Sequence, residues 1–534
     1  MVLYQKSNSC RANPVTNYVS DGYTIHMDFC KERWYLLAVL SGALLILTFY
    51  PFYLSLLCFV ALAPLYLVAV TGISRRLIFL SGFIAGGMVA LEVSFLLVVQ
   101  FNWLPATQFF VGAIQYGGVI AATLIYGALF GLWALGVSML RGRSMIINTL
   151  CAAALYVIME RVAQVPVGGY YLMTLSYALP ALLPIVSLAS VGGALFVSFI
   201  IAWVNATLAE ASLVRSKQSA MRVARTAGII TATLVLLWAG NRWYLTHARG
   251  EEKSFSVTTL QVASLAKRAT AAANTDGTIS FPQFDNYLAE VGLPAPDLII
   301  YPDSIATGTV SEARNPLFGW ITYRVPDGST LATWDNVKRG DAVYTEFQFW
   351  GAGGLVGKTQ KESLVPFMDY APVWARSIGL YSMPFDISVG KRATVIAGGV
   401  PVGGLVCSEI HRTSRARAEA ATTSIIVAIG SEAMFTDGVA STFSVRAAQY
   451  RAVENDIPVV RAALLGPSAI INADGSIAAR MPEGEIGVLR GAVQVGPAHQ
   501  TLYTRFGNLP LTLFIAGILI LAWRARFLSK FPGR

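Results

Sequence analysis

The chain has 534 residues, of which 55% are hydrophobic and only 13% charged, and its formal net charge is +10. That balance lies far from the soluble average, so a string of globular domains is excluded and much of the chain belongs in a bilayer. The basic excess does not call for a nucleic acid, because the basic residues fall where membrane topology would put them.

Residues 1–33 are largely polar and precede an apolar run too long for a signal-peptide core, so they are expected to remain as a cytoplasmic tail. Residues 34–74 contain no Asp, Glu, Lys or Arg, 77–140 contain only Glu92, and 162–209 contain none. With ~20 apolar residues needed per crossing, these runs hold two, two, and one or two helices. Shorter spans follow at 145–159, 227–241 and 509–523, giving about eight transmembrane helices, seven before and one after a long polar segment. Pro51, the 102–108 turn and the Pro-Gly stretch 165–171 mark breaks between passes.

Arg75 and Arg76, Arg141 and Arg143, the loop with Arg215, Lys217, Arg222 and Arg225, and the tail with Arg524, Arg526, Lys530 and Arg534 fall on alternate loops. The positive-inside rule assigns that side to the cytoplasm. The expected organisation is a tail (1–33), a seven-helix membrane domain (34–248), an outer domain (249–507), a last transmembrane helix (508–524) and a basic cytoplasmic tail (525–534). Glu92, an acid inside a membrane run, is expected to face the bundle interior near Arg161.

From Glu251 the pattern changes to short β-branched runs punctuated by Gly, Pro and Asp and alternating with helical stretches, which reads as α/β. Strands are predicted at 257–262, 297–301, 343–349, 394–397, 403–407, 424–429, 459–462 and 469–472. A helix is predicted at 441–456 with Arg446, Arg451 and Glu454 on a polar face. Aromatic residues at 344–350 run into Gly351, Gly353, Gly354 and Gly357, either a mobile lid or membrane-dipping arm or an ordinary strand and turn.

Of five cysteines, Cys10 and Cys30 fall in the tail and Cys58 and Cys151 in membrane helices, leaving Cys407 without a disulfide partner in the outer domain. A lone thiol in an oxidising compartment is exposed to chemistry unless it is buried or useful. The segment Gly403-Gly404-Leu405-Val406-Cys407-Ser408-Glu409 runs an apolar strand into a polar turn, as nucleophile elbows do, and makes the Ser408 N–H a natural oxyanion donor. His411, four residues on and followed by Arg412, reads as a solvated histidine rather than a partner of the thiol. No spacing suggests a metal or nucleotide, and no cofactor is expected.

Three stretches resemble the motif regions of the apolipoprotein N-acyltransferase family, a branch of the nitrilase (carbon-nitrogen hydrolase) superfamily. They are Asp297 to Ser304 (DLIIYPDS), Lys361 to Pro372 (KESLVPFMDYAP) and Val406 to Ile410 (VCSEI). The Leu-Val-Pro-Phe run after Lys361 is the most specific, and further similarity extends over 446–463, 473–475 and 501–508. The resemblance implies a four-layer α-β-β-α nitrilase-like sandwich on the membrane bundle. It also implies a triad in which Cys407 is the nucleophile, Lys361 stabilises the oxyanion and Asp303 stands in the place of a glutamate base.

Glu409, Asp369 and Ser408 are expected to support these three: Glu409 by orienting Lys361 or substrate, or else as a surface carboxylate, and Asp369 as a partner of the lysine or a loop acid. The implied reaction is two-step acyl transfer through a Cys407 thioester in a monomeric inner-membrane protein, from a phospholipid donor to the N-terminal diacylglyceryl-cysteine of a lipoprotein. Departures from the pattern are Asp303 and Asp369 for glutamates, Ser408 for a tyrosine, the 431–435 segment, and 261–265, which lacks an expected Gln-Gly-Asn and tryptophan. They leave two alternatives open: a nitrilase-type amidase or acyltransferase with another acceptor, and a non-catalytic envelope or conjugation-assembly relative.

Overall fold

The structure is a computed structural model that describes residues 31–49, 52–99, 108–142, 144–165, 174–213, 217–261, 294–311, 325–366, 368–379, 385–431 and 439–530. Its amino-terminal part is helical: α1 (Trp34–Thr48), α2 (Ala63–Val70), α3 (Arg75–Val99), α4 (Gln108–Leu140), α5 (Met145–Ala163), α6 (Ala189–Ser212) and α7 (Lys217–Ala248). Among the described residues, six helices are long and apolar enough to cross a membrane, the last being at the carboxyl end. The first charge-free run, expected to make two crossings, gives two shorter apolar segments, Trp34–Thr48 and Ser55–Val70. The count of eight therefore depends on those two. The breaks expected at Pro51, 102–108 and 165–171 lie outside the described residues except for Gln108 and Val165.

Two expectations in this region are corrected. The 227–241 span is the middle of α7, which already includes Lys217, Arg222 and Arg225, so most of the supposed basic loop is the first turns of a helix. Glu92 is half-buried, but its Oε2 has no hydrogen-bond partner among the described residues. Arg161 donates to Gln164 at 3.3 Å, and the acid that joins segments here is Glu160, which accepts from the Leu175 N–H at 2.6 Å.

Ends of the helices gather as the charge pattern requires. Arg141 donates to the Val70 carbonyl at 2.6 Å and lies 3.7 Å from Glu210, which puts the ends of α2, α4 and α6 together. At the opposite end Phe49 meets Phe443 of the sheet-rich domain, with ring centroids 6.5 Å apart.

The carboxyl-terminal domain is two six-stranded sheets packed face to face. In the first the order is β12 (Gly487–Val495), β1 (Lys253–Gln261), β2 (Leu298–Ser311), β3 (Thr330–Arg339), β4 (Ala342–Gly351) and β5 (Gly354–Gln360). In the second it is β11 (Ile477–Arg480), β10 (Ala469–Ile471), β9 (Val459–Leu464), β8 (Ile425–Ser431), β7 (Val400–Val406) and β6 (Val395–Ala397). Alternate residues of both sheets, among them Val257, Leu298, Phe347, Phe349, Val402, Ile425, Val427 and Val460, form one core between them. Each such side chain contributes ~1.5–3 kcal/mol when fully buried.

The aromatic and glycine-rich stretch is part of this sandwich and not a lid. Phe347 and Phe349 are core residues of β4, and Gly351 pairs with Gly354 in an antiparallel hairpin with β5. Strands β7, β8 and β9 run parallel, so helices must carry the chain between them. After the short α8 (Val373–Ser377), these are α9 (Thr413–Ala420) and α10 (Val439–Asn455), followed by α11 (Leu502–Phe506) and α12 (Leu509–Lys530), the last membrane helix. The fourth layer expected from the sequence lies outside the described residues.

The polar face predicted for the 441–456 helix meets the membrane bundle instead of water. Arg451 and Glu454 are fully buried. Helix α6 is broken at Gly192 and Gly193, and Glu454 accepts the Ala194 N–H at 2.9 Å where the helix restarts. A carboxylate at a helix start satisfies an orphan donor and the helix dipole together. Gly193 has φ +76°, and a Cβ there would stand 2.5 Å from the Tyr503 ring, so only glycine fits. Arg451 donates to the Tyr177 hydroxyl at 2.9 Å, Arg446 to the Leu179 carbonyl at 3.0 Å, and Tyr450 to the Ser176 carbonyl.

Two adjacent glycines set where β7 lies. A Cβ on Gly404 would come within 2.4 Å of the Phe347 ring and 2.7 Å of Thr359, while one on Gly403 would press on Glu419 at 2.9 Å. The sheets therefore touch at Gly404, three residues before Cys407 and opposite a strand position two before Lys361. Overpacking a well-filled core costs ~1–3 kcal/mol. Gly404→Ala is expected to lower stability by that amount, read as a lower thermal midpoint in detergent; an unchanged midpoint would contradict the contact.

Candidate active site

Strand β7 ends at Val406, and Cys407 opens a 3₁₀ turn that runs to His411. Cys407 has φ +56°, the left-handed region that a residue with a Cβ enters at a cost of ~1–3 kcal/mol. The elbow read from the sequence is thus present as backbone geometry, with the half-buried thiol at the strand end. Glu409 holds the bend. Its Oε2 accepts the Val406 N–H at 3.0 Å, the return bond of a capping box, and the carboxylate is fully buried.

The other oxygen of Glu409 reaches a different part of the chain. Oε1 accepts the N–H groups of Glu362 and Ser363, each at 3.0 Å, so one carboxylate ties the Cys407 turn to the segment that begins with Lys361. Lys361 leaves the end of β5 with its N–H on the Thr345 carbonyl at 2.9 Å, and its side chain is only 3% exposed. Its ammonium donates to both oxygens of Asp369, at 2.8 and 2.7 Å. Asp369 in turn accepts the Val365 N–H at 2.7 Å, which fixes the loop of the Leu-Val-Pro run around the ion pair. Burial alone would pull Lys361 down, but the charges of Cys407, Asp369 and Glu409 offset it and hold the ammonium above its ordinary value.

Behind these groups lies a residue that sequence reasoning missed. Arg415, on α9, donates Nε to Glu409 at 3.1 Å, Nη1 to Glu362 at 2.6 Å and Nη2 to Glu419 at 3.1 Å. The only trace of this in the sequence is the Arg415–Glu419 spacing on one helix face, which is common to solvated helices. Burial pushes Glu419 up to about 7 against the pull of Arg415 and Arg392.

The expected site residues can now be placed. Cys407, Lys361, Glu409 and Asp369 come together: Glu409 is not a surface carboxylate, and Asp369 is the partner of the lysine. Ser408 is the second residue of the 3₁₀ turn and half-buried. Asp303 lies in β2, between Pro302, whose carbonyl accepts the Trp334 indole N–H at 3.1 Å, and Ser304, which pairs with Trp334; its side chain lies outside the described residues, as do 432–438.

His411 is not solvated. It is buried, with Nε2 3.2 Å from the Ser444 hydroxyl, and burial together with Arg461 and Arg451 pushes it down to about 3. A histidine depressed from 6.5 to about 3 makes the unfolded chain bind more protons across that window, so stability is lost as pH falls through it, by up to ~1.4 kcal/mol per unit. His411→Asn should flatten the fall in thermal midpoint between pH 6.5 and 4; an equally steep fall would refute a neutral buried imidazole. No group of three or more His, Cys, Asp or Glu side chains suited to a metal occurs among the described residues.

A buried lysine–carboxylate pair beside a thiol on a strand-to-turn elbow, in a two-sheet sandwich borne by membrane helices, defines a membrane-bound protein of the carbon-nitrogen hydrolase class. The carbon-nitrogen hydrolase family model matches residues 338–502, and the model for the apolipoprotein N-acyltransferase N-terminal domain matches 41–207. In both of its parts the chain is similar to the apolipoprotein N-acyltransferase family. A protein of that name from Geobacter metallireducens is 25% identical over 532 residues, covering 93% of this chain and 96% of its own. Another from Pseudomonas paraeruginosa is 25% identical over 508 residues, covering 91% and 94%. Among solved structures, an amidase from Nesterenkonia sp. matches 49% of this chain and 97% of its own at 16% identity, with a TM-score of 0.36.

Proposed function

We propose that this protein N-acylates lipoproteins, moving a fatty acyl group from a phospholipid to the N-terminal amine of a diacylglyceryl-cysteine through a thioester on Cys407. The observation that carries the reading is the buried Lys361–Asp369 pair held by Glu409 against the Cys407 elbow. Its membrane is the bacterial inner membrane, with residues 249–507 on the outer side, as the distribution of Arg and Lys supports.

In the first step the Asp303 carboxylate takes the thiol proton and the Cys407 thiolate attacks the ester carbonyl. A C–S bond forms, and the carbonyl oxygen becomes an oxyanion that Lys361 and the Ser408 N–H stabilise. Two of the ammonium hydrogens are committed to Asp369, leaving the third for that oxygen. The C–O bond then breaks, and the departing lysophospholipid oxygen takes the proton from Asp303. In the second step the lipoprotein amine attacks the thioester and passes a proton to Asp303, the C–S bond breaks, and the proton returns to the sulfur. Asp303 is a methylene shorter than glutamate, so a backbone shift in β2 must supply the ~1.5 Å difference for proton transfer within ~3.2 Å.

The test is transfer of a labelled acyl chain from phospholipid vesicles to a diacylglyceryl-cysteine peptide. Wild type transfers it. Cys407→Ala is expected to lose at least ~10³-fold and Lys361→Ala ~10²–10³-fold. Asp303→Glu retains transfer, whereas Asp303→Asn abolishes it. Transfer by Cys407→Ala at the wild-type rate, or none by wild type and Asp303→Glu alike, would overturn the reading; acylation of Cys407 followed only by hydrolysis would favour an amidase-like activity.

A further inference from the structure

We propose that Arg415 is a positioning residue for acyl transfer, setting the place of Lys361 relative to Cys407 from behind the site. The inference rests on the reaction proposed above but on different atoms. Arg415 is 6% exposed and sits on α9, outside the turn that carries the thiol. Its three nitrogens divide among carboxylates from three segments: Glu362, next to Lys361; Glu409, two residues after Cys407; and Glu419, on its own helix. Each contact is a charge-assisted hydrogen bond, and the planar guanidinium fixes their directions in a way that a lysine cannot.

The electrostatics explain why a cation is needed there. Glu409 is fully buried, and a carboxylate in that setting stays ionised only with a counter-charge and hydrogen-bond donors. Its donors are three backbone N–H groups and Arg415 Nε. The charged and titratable groups facing this cluster are Lys361 and Glu362 on the segment after β5, Glu409 on the turn, Glu419 on α9, and Arg392, whose charge acts on Glu419. Without Arg415 the cluster is left with more buried negative charge than cations beside it, and Glu409 loses the guanidinium that directs its Oε1. A carboxylate no longer held there pins 362–363 to the turn less firmly, and Lys361 moves away from the sulfur.

Two readouts separate this from a merely structural role. In acyl transfer, Arg415→Met is expected to lower kcat by ~10–100-fold with KM for phospholipid within about threefold. Arg415→Lys keeps the charge but not the planar fork, and recovers the rate only in part. The second readout needs no acyl transfer: alkylation of Cys407 by iodoacetamide at pH 7 in a Cys10→Ser/Cys30→Ser background, followed by peptide mass. A neighbouring ammonium favours thiolate, so Arg415→Met should alkylate at least ~5-fold more slowly than its parent.

Slowed alkylation in a parent that transfers no acyl group would sink the reaction while leaving the positioning role standing. Transfer and alkylation within twofold of the parent at every pH, in Arg415→Met or Arg415→Lys, would overturn the positioning role. If Arg415→Met does not accumulate as folded protein, Arg415→Lys and Glu362→Gln carry the test, each expected to slow alkylation by at least twofold, and no slowing in both counts against the proposal.

Discussion

One fully buried carboxylate, Glu409, joins the two parts of the chain that the chemistry needs. It takes one N–H from the strand end before Cys407 and two from the segment after Lys361, and so ties together two segments far apart in sequence. Remove that carboxylate and the elbow loses its internal bond while the lysine loop loses its anchor. The left-handed backbone at Cys407 is a strained conformation that must be stabilised by its surroundings, and Glu409 supplies the nearest of those interactions. Arg415 and Asp369 extend the same arrangement outward, so Glu409 and Lys361 each have a partner of opposite charge.

The site also depends on how the domain is seated. Helix α10 lies between the second sheet and the membrane helices, and its Arg451 and Glu454 are as deeply buried as any aliphatic side chain in the protein. Glu454 closes the break in α6 at Gly193, where the ring of Tyr503 fills the space a side chain would need. Tyr503 belongs to α11, just before the last membrane helix, so the kink, the domain and the carboxyl-terminal anchor meet at one point. Buried ion pairs contribute little net stability but are costly to break, which makes such a contact a specific seat for the domain.

The membrane character and much of the sandwich were legible in the sequence because both write themselves in local pattern. Charge-free runs marked the long helices, and β-branched runs marked β1, β2, β4, β6, β7, β8, β9 and β10. Strands β3, β5, β11 and β12 escaped because their sequences mix charge and glycine into the pleat: TLATWDNVKR and GLVGKTQ do not alternate cleanly, and only pairing makes them strands. The polar face of α10 misled for the opposite reason, since its charges are matched by a hydroxyl, carbonyls and an N–H from the bundle that no local window contains. At the site, Cys407 and Lys361 were visible as motif residues, and Glu409 and Asp369 as possible supports. Arg415 was not, because its role is set by partners on three segments, and His411 was misread because burial is a property of the fold.

The most direct measurement is the intact mass of purified wild type and Glu409→Gln after incubation with phospholipid vesicles and no acceptor. A carboxamide has nearly the same shape but only one oxygen to accept with, so it cannot hold both segments. The account predicts one added acyl group on wild type and less than about a tenth of that on the variant. Equal acylation of the two proteins would show that the clasp is not what brings the lysine to the sulfur.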